Sequence, residues 1–215
     1  AVAFDTGPGN CLIDLAATAA DPATPCDEGG RRAASGEIHH ELLEQMLSHP
    51  YLSRPAPKTT GREEFSVGLF EEWQAAAAKA GCSADDLIAT VTELTAVSIV
   101  RGYRHAPAAL REGLTEIVVS GGGSKNPTLM AQLRAAASRE FGDRVTVRGH
   151  SDVLADFVEP GALPAGLSVD DAKEAMLFCL LGWLTLHGLP GSVPSCTGAR
   201  RPAILGAVTP GDNYA

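Results

Sequence analysis

The sequence predicts an α/β fold, and three observations carry that expectation. The run Ile117-Val118-Val119 is short and β-branched and stops in Gly121-Gly122-Gly123, the pattern of a strand turning into a helix. Apolar residues elsewhere recur at helical spacing, as in Leu87, Ile88, Val91, Leu94, Val97 and Val100. The two kinds of segment alternate along the chain, and such alternation layers helices against a sheet.

The elements follow in order. Residues 1–5 read as a short strand running into Asp5-Thr6-Gly7-Pro8-Gly9-Asn10, with Asn10 as N-cap of a helix carrying Leu12, Ile13, Leu15 and Ala16. Residues 21–36, rich in proline and glycine, read as a loop. A helix over 37–47 puts Ile38, Leu42, Leu43 and Met46 on one stripe, and His49-Pro50 ends it. Residues 51–64 are a second loop, containing Lys58-Thr59-Thr60-Gly61-Arg62-Glu63. A helix over 69–80 follows. Ser83 then caps a long helix to 104, whose first turn holds Asp85 and Asp86 where the helix dipole favours them. Residues 115–119 are a strand, 120–126 its turn, and Pro127 suits the first turn of a helix to 141. A strand over 144–147, a helix over 170–187 and a strand over 203–208 complete the chain.

The 215 residues suit one large domain or two small ones, and 17 basic against 26 acidic residues give a net charge of 17 − 26 = −9. That balance argues against nucleic acid, which requires clustered Lys and Arg. The five scattered cysteines fit neither a disulfide framework nor a zinc site, and Cys82 and Cys179 read as small buried thiols. The longest apolar run, near 176–186, is too short to cross a membrane. The opening residues do not read as a signal peptide, and none is expected. The expectation is a reduced, soluble, cytoplasmic protein with no nucleic-acid or membrane partner. Ala1-Val2-Ala3-Phe4 begins without Met on a strand already under way, so the chain reads as the later part of a longer polypeptide.

Several strings bear on chemistry. Three glycines after a strand let a ligand approach bare backbone, and amides at a helix start attract phosphate; a plain strand–helix turn fits equally well. The dinucleotide fingerprint fails, because its last glycine position is Asn126. Asp5 at a strand end, ahead of Gly7 and Gly9, suits a general base or a metal-bound water, or a simple turn cap. Arg62 could hold an anion from its polar loop. His39-His40-Glu41 lacks the second histidine of a zinc helix and reads as a solvated face. Glu174, taken alone, reads as the exposed end of a helix.

Taken together, FDTGPGN (4–10), KTTGRE (58–63), SGGGSKNP (120–127), KEAMLF (173–178) and GLPGSVPSCTGA (188–199) resemble the anhydro-N-acetylmuramic acid kinases, in that family's order and from end to end of the chain. The resemblance implies the fold of sugar kinases, actin and heat-shock ATPases: a ribonuclease H-like lobe with a mixed sheet flanked by helices, and helical additions. It implies that ATP and water convert 1,6-anhydro-N-acetylmuramic acid to N-acetylmuramic acid 6-phosphate and ADP in cell-wall recycling, with Mg²⁺ as cofactor. It makes Asp5 the catalytic base. It gives the nucleotide to Gly121, Gly122, Gly123 and Asn126, and the sugar to Glu174, Gly7 and Asn10. The metal ligands stay unassigned, and a homodimer is compatible with it.

The family's glycine turns of the G-T-S-x-D-G and N-I-G-G-I-A-N types do not occur in these residues, and Cys196 stands where valine is usual. The expectation is that residues 1–215 form the C-terminal lobe of a two-lobed kinase, that the N-terminal lobe and first strands lie outside it, and that 21–36 are a surface insertion. Such a lobe alone is expected to be inactive. Two alternatives stay open: a non-catalytic relative of the same fold, and a kinase acting on another sugar.

Overall fold

The computed structural model describes residues 1–154, 156–157 and 169–209. The chain divides into two units: one comprises Asp5–Asp156, the other Ala1–Phe4 with Phe157–Ala215.

The larger unit is mostly helical. Its helices are α1 (Cys11–Ala20), α2 (Arg31–Ser35), α3 (His40–Leu47), α4 (Pro50–Ser53), α5 (Val67–Lys79), α6 (Ala84–Gly102), α7 (Ala108–Glu112), α8 (Pro127–Phe141) and α9 (His150–Leu154). Strands β1 (Glu116–Val119) and β2 (Thr146–Gly149) pair in parallel, with Ile117 opposite Val147. Parallel neighbours need a long crossover, which the segment containing α8 supplies. The expected mixed sheet is corrected here: among the described residues the sheet consists of these two parallel strands.

Helix α6 is the centre of the unit, packed against α1, α2, α3 and α8. It starts in a full capping box, Ser83 Oγ accepting from the Asp86 amide at 3.1 Å and Asp86 Oδ2 accepting from the Ser83 amide at 2.8 Å. The expected apolar stripe is buried except for half-buried Val97, but so are Thr90, Thr92, Glu93, Thr95 and Ser98 on its other sides. A helix buried all round must satisfy its polar side chains internally. Thr90, Thr92 and Thr95 do so by donating to the carbonyls four residues back, at 2.7, 2.7 and 3.1 Å.

Residues 21–36 contain more order than a loop. Buried Asp27 accepts from the Arg32 and Ala33 amides at 3.0 and 2.9 Å, which starts α2, and α2 packs on α6 with Ala33 in the core. Residues 51–64 likewise begin inside α4. His39 is not a solvated face: its ring caps α3 by accepting from the Leu42 amide at 3.2 Å.

In the smaller unit, α10 (Val169–Leu186) matches the expected helix, and α11 (Pro194–Thr197) was not foreseen. Residues 1–4 and 203–208 form no strand. A β-branched run becomes a strand only when a neighbour takes up its peptide groups in a ladder. Ala203 makes isolated bonds instead: its carbonyl accepts from the Gly191 and Ser192 amides at 3.0 and 3.3 Å, and its amide donates to Ser192 Oγ at 2.8 Å. The cysteine reading is also corrected: Cys179 is exposed and Cys82 only half-buried. No helix among the described residues is long and apolar enough to cross a membrane.

Candidate active site

Asp5 is exposed, and one of its carboxylate oxygens is firmly held. Oδ2 accepts from the Thr59 hydroxyl at 2.7 Å and from the Thr60 amide at 2.9 Å. The backbone returns the contact, the Asp5 amide donating to the Lys58 carbonyl at 3.1 Å. The Asp5 carbonyl accepts from the Tyr51 hydroxyl at 2.8 Å. Tyr51 is fully buried, edge-on to Phe65 at 5.6 Å, so it ties Asp5 to the core. Burial, and secondarily the Asp5 charge, push the Tyr51 phenol above its ordinary value, which keeps it a donor.

The loop that presents these donors is itself anchored. Lys58 Nζ donates to the carbonyls of Tyr51 and Leu52 at 3.1 and 3.3 Å and lies 4.7 Å from the Tyr51 ring centre. Burial, assisted by the Arg54 charge, lowers the Lys58 ammonium from its ordinary value.

The Asp5–Asn10 segment lies directly on α6. A Cβ on Gly7 would come within 2.6 Å of Ser98 Oγ, so only glycine permits this approach. Thr95 Oγ1 lies 2.8 Å from the Gly9 carbonyl, sharing its one proton between that oxygen and the Val91 carbonyl, and Gly9 itself turns the chain at φ +58°. Thr6 occupies the space where Gly102 lacks a side chain, 2.4 Å from an ideal Cβ there.

After β1, Gly121 adopts φ +89°, and 122–125 form a tight helical turn before α8. Ser124 closes that turn, donating from its amide and hydroxyl to the Gly121 carbonyl at 3.1 and 2.8 Å. Gly122 is exposed, with only Asn10 Nδ2 near its absent Cβ, at 3.8 Å. The same position on Gly123 lies 3.1 Å from Asn10 Oδ1. Asn10 therefore joins the Asp5 loop to the glycine turn. It does so without capping α1, because its side chain accepts no helical amide. Asn126 is the residue that caps: its side chain accepts from the Leu129 amide at 3.0 Å and fills the space over Gly30.

Arg62 borders a cavity of about 210 Å³ lined also by Cys11, Asp14, Leu15, Thr18, Phe65 and Val67. Burial raises the Asp14 carboxyl and the Cys11 thiol above their ordinary values, and the Arg62 charge opposes both shifts. Glu174 lies in the smaller unit, exposed on the early part of α10. Among the described residues no group of three or more His, Cys, Asp and Glu could hold a metal ion.

Sequence reasoning missed Tyr51, Thr59, Thr60 and Ser98 as members of the Asp5 surroundings. The density of polar residues after Lys58 was the available signal; nothing local ties that loop to a residue 54 positions away.

Comparison with known proteins bears on this site. The model of the family described as anhydro-N-acetylmuramic acid kinase matches residues 1–211. The anhydro-N-acetylmuramic acid kinase of Streptomyces coelicolor is 44% identical over 211 residues, covering 98% of this chain and 47% of its own length. The Rhodococcus erythropolis protein of the same name is 44% identical, with 98% and 47% covered. That of Streptomyces avermitilis is 43% identical, with 97% and 48% covered. The chain thus spans about half the length of the curated relatives it matches.

Proposed function

The chain belongs to the anhydro-N-acetylmuramic acid kinase family, and we propose that it is the C-terminal, actin-like lobe of a two-lobed cytoplasmic kinase. The reaction is the ATP-dependent, hydrolytic opening of 1,6-anhydro-N-acetylmuramic acid with phosphorylation of its 6-oxygen. Water attacks the anomeric carbon and gives up a proton to Asp5. The bond from that carbon to the 6-oxygen breaks, and the 6-oxygen takes the γ-phosphoryl group as ADP leaves.

The observation that carries this reading is the junction at Asn10. Its side chain stands against Gly122 and Gly123 while its own loop carries Asp5, so a nucleotide on the glycine turn and a sugar at the carboxylate would be neighbours. Gly121 to Gly123 let backbone approach the nucleotide, with Asn126 fixing the start of α8 behind them. Gly7 holds Asp5 against α6, and the sugar-binding role that the resemblance gives to Glu174 belongs to this proposal. A magnesium ion bound with the ATP would neutralise charge on the phosphates and would ask for only one or two carboxylates from the protein. Alignment and electrostatics supply most of the acceleration in such a transfer.

The test is to incubate the longer two-lobed polypeptide with 1,6-anhydro-N-acetylmuramic acid and Mg-ATP, following ADP release and the sugar by mass spectrometry. N-Acetylmuramic acid 6-phosphate formed one-for-one with ADP supports the reading. Folded protein that releases no phosphorylated sugar refutes it.

A further inference from the structure

The two hydrogen bonds at Asp5 fall on a single oxygen. Thr59 Oγ1 and the Thr60 amide both donate to Oδ2, whereas Oδ1 takes no hydrogen bond from the described residues. A carboxylate rotates readily about its last torsion, so its two oxygens ordinarily exchange. Two donors converging on one oxygen remove that equivalence and leave the other without a hydrogen bond from the described residues. The Thr59 bond is charge-assisted, and its 2.7 Å length falls in the strong range for a hydroxyl on a carboxylate. Thr59 is exposed, as is Asp5, so this contact covers no core. The supporting loop is rigid for a separate reason, the Lys58 ammonium clamped on two carbonyls at its start.

We infer that Thr59 is the positioning residue for Asp5: its hydroxyl fixes Oδ2 so that Oδ1 is the atom that receives the proton from water. The inference rests on the catalytic reading of Asp5 proposed above. A base held in this way loses rate when it can rotate, even where substrate binding is intact, because misplacement of about 1 Å can remove roughly a hundredfold.

The experiment uses the longer two-lobed polypeptide and four proteins: the natural one, Thr59→Val, Thr59→Ser and Asp5→Asn. Valine keeps the shape and removes the donor; serine restores the donor. For Thr59→Val, kcat is expected to fall about 10- to 100-fold, with both Michaelis constants within about threefold and an unaltered unfolding midpoint. Thr59→Ser should recover kcat to within about threefold of the natural protein. Normal kcat in Thr59→Val, or a loss that serine fails to rescue, overturns the inference while Asp5→Asn is inactive. If Asp5→Asn itself turns over normally, the catalytic reading falls, and the positioning role with it.

Discussion

Replacing Gly7 by alanine is a sharp test of how the Asp5 loop is seated. The added Cβ would lie 2.6 Å from Ser98 Oγ, 3.0 Å from Ser98 Cβ and 3.3 Å from Leu52 Cδ2. Favourable carbon contacts begin near 3.5 Å, so the loop or Ser98 must yield by about 0.5–1 Å. The Gly7 φ is outside the left-handed region, so the strain is purely steric. Overpacking of this kind destabilises by about 1–3 kcal/mol. Ser98 is buried in α6 and its hydroxyl bonds only the Thr95 carbonyl, at 3.0 Å, so Ser98→Ala removes the worst contact at small expense. The double variant should therefore recover part of the loss, a coupling of about 0.5–2 kcal/mol measured by urea unfolding. Turnover of the proposed two-lobed kinase should fall in Gly7→Ala and recover in step, because the displaced segment carries Asp5. Additive effects of the two substitutions, or natural stability and turnover in Gly7→Ala, would refute the seating.

Two other outcomes follow. A Cβ at Gly122 meets only Asn10 Nδ2, at an ordinary 3.8 Å, so Gly122→Val should fold, yet bind ATP at least about tenfold more weakly by calorimetry, about 1.4 kcal/mol; unchanged affinity removes the turn from the nucleotide site. The Arg104 guanidinium, donating to Glu140 at 2.7 and 2.5 Å, holds that carboxyl below its ordinary value. The folded protein therefore binds this proton more weakly than the unfolded chain does. The stabilisation is complete above the ordinary carboxylate value and is lost as pH falls through the lowered one, so Glu140→Gln should be less stable than the natural protein at about pH 7, with the difference shrinking as the pH falls below the ordinary carboxylate range. A difference independent of pH contradicts the ion pair.

The helices were legible wherever one face was apolar and a cap marked the start. Ser83 and the apolar spacing of α6 located that helix, and the β-branched 117–119 run located β1. What was illegible depended on partners distant in sequence. Strand character at 1–4 and 203–208 is a property of pairing, and no ladder forms there. The α2 turn is hidden behind Gly29 and Gly30, which read as loop residues but take φ +66° to deliver the chain to Asp27. The buried threonines of α6 look solvent-facing until their bonds to the preceding turn are seen. At the site, Asp5 and the three glycines stood out locally. The Thr59 and Thr60 donors, and the role of Asn10 as a bridge and not a cap, came only from the fold.

Asp5→Asn in the proposed two-lobed kinase tests the catalytic assignment most directly. The amide keeps an oxygen to accept from Thr59 and Thr60, so the loop stays in place, while the proton acceptor is lost. General-base catalysis contributes about 10²–10⁴-fold, so turnover should fall by at least about a hundredfold. Binding of sugar and ATP should stay within a few fold. A residue that only caps the turn predicts the reverse, since asparagine caps about as well as aspartate. Near-natural turnover in Asp5→Asn would contradict the assignment of Asp5 as the base.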